Sequence, residues 1–197
     1  MMMMRNPLLP EWLRLVWAVL LVVVAFAHLR HVVTMRGQRR WWHIGHTLMA
    51  AGMAAMYLLP RMDHQALYRS GLALYVVVAV ALAATTAAHW RREAVVNPLW
   101  VASTLDVVVM VYMLLPVRTP TVSGVFVVYL AGQAVAWALG LWSRVPALRP
   151  VPADGTAGTE PGGSATVAVG LTAHSSPIVL STLAVMAASM AYMLIAM

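Results

Sequence analysis

Six stretches of this chain run for about twenty residues each with almost no charge, and that limits what it can become. They cover about 11–29, 41–60, 68–90, 98–116, 121–143 and 177–197. In hydrocarbon, an unpaired backbone N–H or C=O costs several kcal/mol, so an apolar span folds as a helix that satisfies itself. At ~1.5 Å per residue, such a stretch crosses the ~30 Å core of a bilayer. The expected fold is therefore all-α, an integral membrane bundle of six transmembrane helices. Composition agrees: 10% of the residues are charged, where a soluble domain has about 25%.

Local chemistry marks the ends. Pro60 and Pro116 stop the second and fourth spans. Asn97-Pro98 and Ser176-Pro177 each place a capping side chain before a proline that starts a helix well. Ala25-Phe26-Ala27 resembles a signal-peptide cleavage site. Arg30, Arg36, Arg39 and Arg40 follow it, however, so the first stretch reads better as a retained span. Residues 144–176 carry Pro146, Pro150, Pro152, Gly155, Gly158, Pro161, Gly162 and Gly163, the composition of a flexible loop. On the fifth span, Gly132, Ala136 and Gly140 recur every four residues, which predicts a close-packing face.

The net charge of +7 does not point to nucleic acid, because the arginines sit in short connections between apolar spans. Loops after spans one, three and five hold Arg30, Arg36, Arg39, Arg40, Arg91, Arg92, Arg144 and Arg149; the other side holds Arg5, Arg14, Arg61, Arg69 and Arg118. The positive-inside rule then places both termini outside and the 144–176 loop in the cytoplasm of a plasma-membrane protein. Trp41, Trp42, Trp90, Trp100 and Trp142 would form an inner aromatic belt, with Tyr57, Tyr112 and Tyr192 toward the outer ends. The bilayer is the implied partner, with a larger membrane complex or a homo-oligomer as a further one.

Chemistry-bearing side chains are spaced for single helix faces. His46, Met49, Met53 and Met56 follow one another at three- and four-residue steps on span two, and His43 begins the same stripe. Asp106, Met110 and Met113 do so on span four, and Met186, Met190, Met193 and Met197 on span six. The inferred topology sets the pairs Met53/Met56, Met110/Met113 and Met190/Met193 near the outer end. Thioether sulfur is a soft neutral ligand suited to Cu(I), but methionine is also an adaptable core filler. His28, His46 and His89 lie inside apolar runs at the other end, whereas His31 and His43 read as interfacial. Those imidazoles could take copper or zinc, or a b-type haem between two of them. Asp106 is the one carboxylate within a span, where a charge must be paired, hydrated or protonated. It could be a ligand, orient a ligand histidine, take part in a proton path, or simply bond to Ser103, Thr104 or Gln133. There is no cysteine, so any soft-metal site rests on Met and His. No phosphate loop, nucleophile elbow or His-Glu-x-x-His zinc helix is present, and no residue is assigned a catalytic role.

The run His46-x-x-Met49-x-x-x-Met53-x-x-Met56, with Met186-x-x-x-Met190-x-x-Met193 later, resembles an actinobacterial family of uncharacterised multi-pass membrane proteins. That resemblance covers nearly the whole chain outside 144–176 and implies a cell-membrane location, with no activity attached. Met-x-x-x-Met also resembles the selectivity motif of copper-uptake channels. Those have three spans and a Met-rich extracellular tail, so the likeness is local. Copper handling through the methionine stripes and the His/Asp group is the leading expectation. A non-catalytic accessory subunit or assembly factor, and a b-haem electron carrier, are the alternatives.

Overall fold

The computed structural model describes residues 10–93, 97–145 and 176–196. Among them are six α-helices and no strand: α1 Glu11–Thr34, α2 Gln38–Leu58, α3 Gln65–Glu93, α4 Pro98–Leu114, α5 Pro120–Ala138 and α6 Pro177–Ala196, with a 3-10 turn at Leu141–Arg144. Most of the loop expected over 144–176, together with Met197 and Arg149, lies outside the described residues.

The helix ends follow their local chemistry. Asn97 caps α4 by accepting from Leu99 N at 3.0 Å, and Pro98 occupies the first turn, where its missing N–H costs nothing. Pro120 opens α5 in the same way. Two turns need a left-handed backbone, and glycine supplies it at Gly37 (φ 66) before α2 and at Gly140 (φ 62) after α5. Gly140 is thus a helix terminator and no part of a packing stripe. A Cβ on Gly132 would meet nothing within 4 Å, so the close-packing face expected from Gly132, Ala136 and Gly140 does not form.

Chain neighbours pair as hairpins. α1 packs along α2, α3 along α4 and α5 along α6, while α1 also meets α6 and α2 meets α4. Burial is uneven. α3 buries little beyond Tyr68 and Tyr75, whereas α2 buries Trp42, His43, His46, Met49, Ala50, Met53, Ala54 and Tyr57 along one face. α1 and α3 turn residues such as Val19, Val23, Phe26, Val77 and Val80 outward. Apolar surface of that extent suits lipid and not water.

Four helices, α1, α3, α5 and α6, are long and apolar enough to cross a membrane. The expectation of six is met in part. α4 is apolar but 17 residues long, about 25 Å at the helical rise and short of the hydrocarbon thickness. α2 dilutes its apolar run with Gln38, Arg39, Arg40, His43, Gly45, His46 and Thr47, and protein shields much of that polarity. The tryptophan belt also divides. Trp41 and Trp90 are exposed, but Trp42 and Trp100 are buried with Trp137 in a second small core. Trp42 goes inward because its indole N–H donates to Ser103 Oγ at 3.0 Å. Tyr57 is equally buried: its hydroxyl donates to Ser189 O at 2.9 Å, joining α2 to α6.

Tyr75 reaches from α3 to α2 across Gly52. A Cβ there would collide with the Tyr75 hydroxyl, which donates to Leu48 O at 2.8 Å. Gly52→Val should therefore lower unfolding stability in mild detergent by about 1–3 kcal/mol, the usual cost of overpacking. Gly45→Ala, whose Cβ meets nothing within 4 Å, should be neutral or stabilising by up to ~1 kcal/mol.

Candidate functional site

The three methionine stripes converge. Met49 and Met53 from α2, Met110 and Met113 from α4, and Met186, Met190 and Met193 from α6 are buried in one core cluster, with Met56 half-buried beside it. Helical spacing of three and four put each set on one face, and the bundle turns those faces toward one another. The sulfur of Met53 is also held in place, since Ser189 Oγ donates to it at 3.6 Å.

Midway along α2, α4 and α6, part of this core opens into a cavity of about 10 Å³. His46, Met49, Asp106, Met186 and Met190 line it, closed by Trp137, Leu183 and Ala187. The volume is about that of one water probe. Three methionines, one histidine and one aspartate thus line a space for a single small occupant. A monovalent cation there would be neutralised by the one carboxylate, avoiding a net buried charge. Thioether donors suit a soft ion such as Cu(I).

The tautomer of His46 is set by a backbone bond. Its Nδ1 lies 2.9 Å from Trp42 O, and a carbonyl can only accept, so Nδ1 carries the proton. In the neutral ring Nε2 then bears the lone pair, the arrangement found in metal-ligating histidines. The ring also lies against the Trp42 indole, with centroids 3.9 Å apart.

Where α1 ends and α2 begins, four imidazoles crowd together. His28 Nδ1 and His43 Nδ1 are 2.8 Å apart. Thr182 Oγ1 donates to Val179 O and lies 3.3 Å from His28 Nε2. With its proton so used, the hydroxyl accepts from His28 Nε2–H, and His43 Nδ1 donates to His28 Nδ1. His31 stacks on His43 at 4.8 Å and His28 on His46 at 5.5 Å. His43 is fully buried, which corrects its reading as interfacial: the Gly37 turn folds α1 and α2 together and closes His28 over it. Crowding does not make a hard-donor site. Among the described residues, no group of three or more His, Asp or Glu could hold a metal ion. His89 lies on α3, and its side chain falls outside the described residues.

Asp106 finds a partner the sequence reading did not name. Tyr129 OH donates to Asp106 Oδ1 at 3.0 Å and lies 3.2 Å from Ala102 O. Gln133 Nε2 donates to Tyr129 OH at 2.9 Å, and Trp142 Nε1 donates to Gln133 Oε1 at 3.2 Å. Gln133 therefore reaches the carboxyl only through Tyr129. Ser103 is engaged by Trp42, and Thr104 donates to Trp100 O. The Tyr129–Gln133 step of four residues on α5 was a readable signal. Trp137 and Leu183 gave none, because nothing in their spacing distinguishes a cavity wall from ordinary core.

Tyr129→Phe would remove a donor from a carboxyl inside the bundle. A cost of about 1–3 kcal/mol is expected, measured by unfolding in mild detergent. Tyr112→Phe, at a helix end where water can replace the lost bonds to Thr119 and Ser123, should cost less than about 1 kcal/mol.

Comparison of the chain with protein-family models, with curated proteins and with solved structures finds no match.

Proposed function

We propose that this chain is a six-span plasma-membrane protein, both termini outside, that holds Cu(I) in the centre of its helix bundle. The observation that carries the proposal is the ion-sized cavity where His46, Met49, Asp106, Met186 and Met190 meet from three helices. Met53, Met110, Met113 and Met193 continue sulfur through the same core. They extend the site toward the outer end as a holding or transfer path. Topology rests on the arginine bias, and the short connection after α1, flanked by Arg30, Arg36, Arg39 and Arg40, weighs most in it.

One observation favours a second reading. Met53, Met110 and Met113 show no exposure at all and sit among Val, Leu and Ala, as packing residues would. On that reading the protein is an accessory subunit or assembly factor of a larger membrane complex. A b-haem held by two of His28, His46 and His89 draws less support. The His28 and His46 rings are 5.5 Å apart, and the space beside His46 is about 10 Å³, whereas pockets for organic ligands run to about 300–1,000 Å³.

Cu(I) retention by protein purified in mild detergent, under reducing conditions with a competing chelator, separates these readings. Wild type should retain about one copper per chain. The triple variant Met49→Leu, Met186→Leu, Met190→Leu should bind at least about tenfold more weakly, a loss of ~1.4 kcal/mol or more. Met35→Leu should bind like wild type, because Met35 lies at the end of α1 outside the methionine core and the swap nearly conserves volume, costing under about 1.5 kcal/mol of packing. Equal and negligible copper in all three would overturn the metal reading and leave the stripes as packing.

A further inference from the structure

At the end of the bundle opposite the histidines, a cavity of about 370 Å³ opens between the α2–α3 connection, α3 and the end of α4. Arg61, Gln65 and Arg69 supply its polar groups, and no carboxylate lines it. Its remaining wall is apolar and includes Met62, Leu72 and Pro116. Tyr68 and Leu114 also line a second cavity of about 160 Å³. That one continues between α2 and α3, beside the small residues Ala51, Gly52, Ala55 and Gly71. A cationic chamber thus lies beside an apolar one along lipid-facing helices, with Tyr68 and Leu114 lining both.

The cationic chamber is rigidly built. Arg61 Nη1 donates to Leu115 O at 2.8 Å and Nη2 to Leu114 O at 3.0 Å, and the guanidinium lies 5.6 Å from the Tyr68 ring centroid. Tyr68 OH donates in turn to Leu59 O at 2.9 Å. A guanidinium has five N–H donors, so these two bonds leave Arg61 donors for a ligand. Positive charge accumulates nearby. Burial, and then the neighbouring Arg61, push Arg118 below its ordinary pKa. The described charged residues at this end are Arg14, Arg61, Arg69 and Arg118 against Glu11 and Asp63.

We propose that these adjacent cavities bind one anionic phospholipid, its phosphodiester on Arg61, Arg69 and Gln65 and an acyl chain in the apolar chamber between α2 and α3. Arginine suits phosphate by geometry and charge, and basic pockets between transmembrane helices take anionic head groups. A free anion would satisfy the arginines but leave the apolar chamber unfilled. A neutral lipid would fill the chamber but leave the excess positive charge. Only an anionic lipid matches both. The inference does not depend on the copper site, which uses the opposite face of α2.

Native mass spectrometry of the full-length detergent-purified protein tests it. The probes are phosphatidylglycerol, phosphatidylcholine with the same acyl chains, and inorganic phosphate. Phosphatidylglycerol should bind at least about fivefold tighter than phosphatidylcholine. Arg69→Gln should weaken phosphatidylglycerol about fivefold, the effect of one surface cation near a charged lipid. Gly71→Leu should weaken both lipids by filling the apolar chamber; its Cβ would meet Leu114 at an ordinary 3.7 Å. Arg144→Gln, at the other end, should change nothing. Circular dichroism of each variant separates a lost fold from a lost ligand. Equal affinity for the two lipids in wild type, or unchanged lipid binding in both Arg69→Gln and Gly71→Leu, would overturn the proposal. Inorganic phosphate binding as tightly as phosphatidylglycerol would replace it with a simple anion site.

Discussion

A polar side chain inside a lipid-bathed bundle must find its partner in the protein, because the solvent offers none. That constraint organises this chain. Arg14 Nε reaches Tyr57 O, Arg61 takes the terminal carbonyls of α4, Tyr57 bonds α6, and Tyr75 bonds α2. Each bond ties one helix to another at a point where hydrophobic contact alone would leave the register loose. Between helices in lipid there is little hydrophobic drive, and packing with hydrogen bonds must supply the specificity.

The same constraint explains the place of α2. Its polar first half would be costly against lipid, and α1 covers His43, α4 takes Trp42 and α6 meets His46, while Arg39 and Arg40 stay exposed. Once covered, His46 and the methionines face α4 and α6 while His43 packs on His28 and His31 of α1, and residues of three helices collect at one point. Asp106 joins them because Tyr129 holds it from the α5 side. The candidate site is thus a consequence of where polarity can be hidden. One carboxyl group among soft neutral side chains is what the copper proposal rests on.

Much of this was legible from residue spacing. Helix type and approximate limits follow from apolar length, and the Asn97-Pro98 cap is formed as read. Helical periodicity put each methionine set on one helix face, while their convergence came from the packing of the helices. What spacing could not give was lateral arrangement. His43 looked interfacial by position, and only the Gly37 turn, which folds α1 onto α2, shows why it is buried against His28. Trp42 looked like a belt residue until Ser103 appeared opposite it. Gly140 looked like part of a small-residue stripe, while its positive φ makes it a terminator. α2 is absent from the helices apolar enough to span because hydropathy averages over its polar residues, whereas burial acts on faces.

X-ray absorption at the copper edge, on protein loaded with one equivalent of Cu(I), tests the central claim most directly. The cavity of His46, Met49, Asp106, Met186 and Met190 predicts a first shell dominated by sulfur with a minor nitrogen or oxygen contribution. Met49→Leu with Met186→Leu and Met190→Leu should abolish that sulfur signal. A first shell of nitrogen and oxygen alone would contradict the account, moving any bound copper to the histidine cluster and leaving the buried methionines to packing.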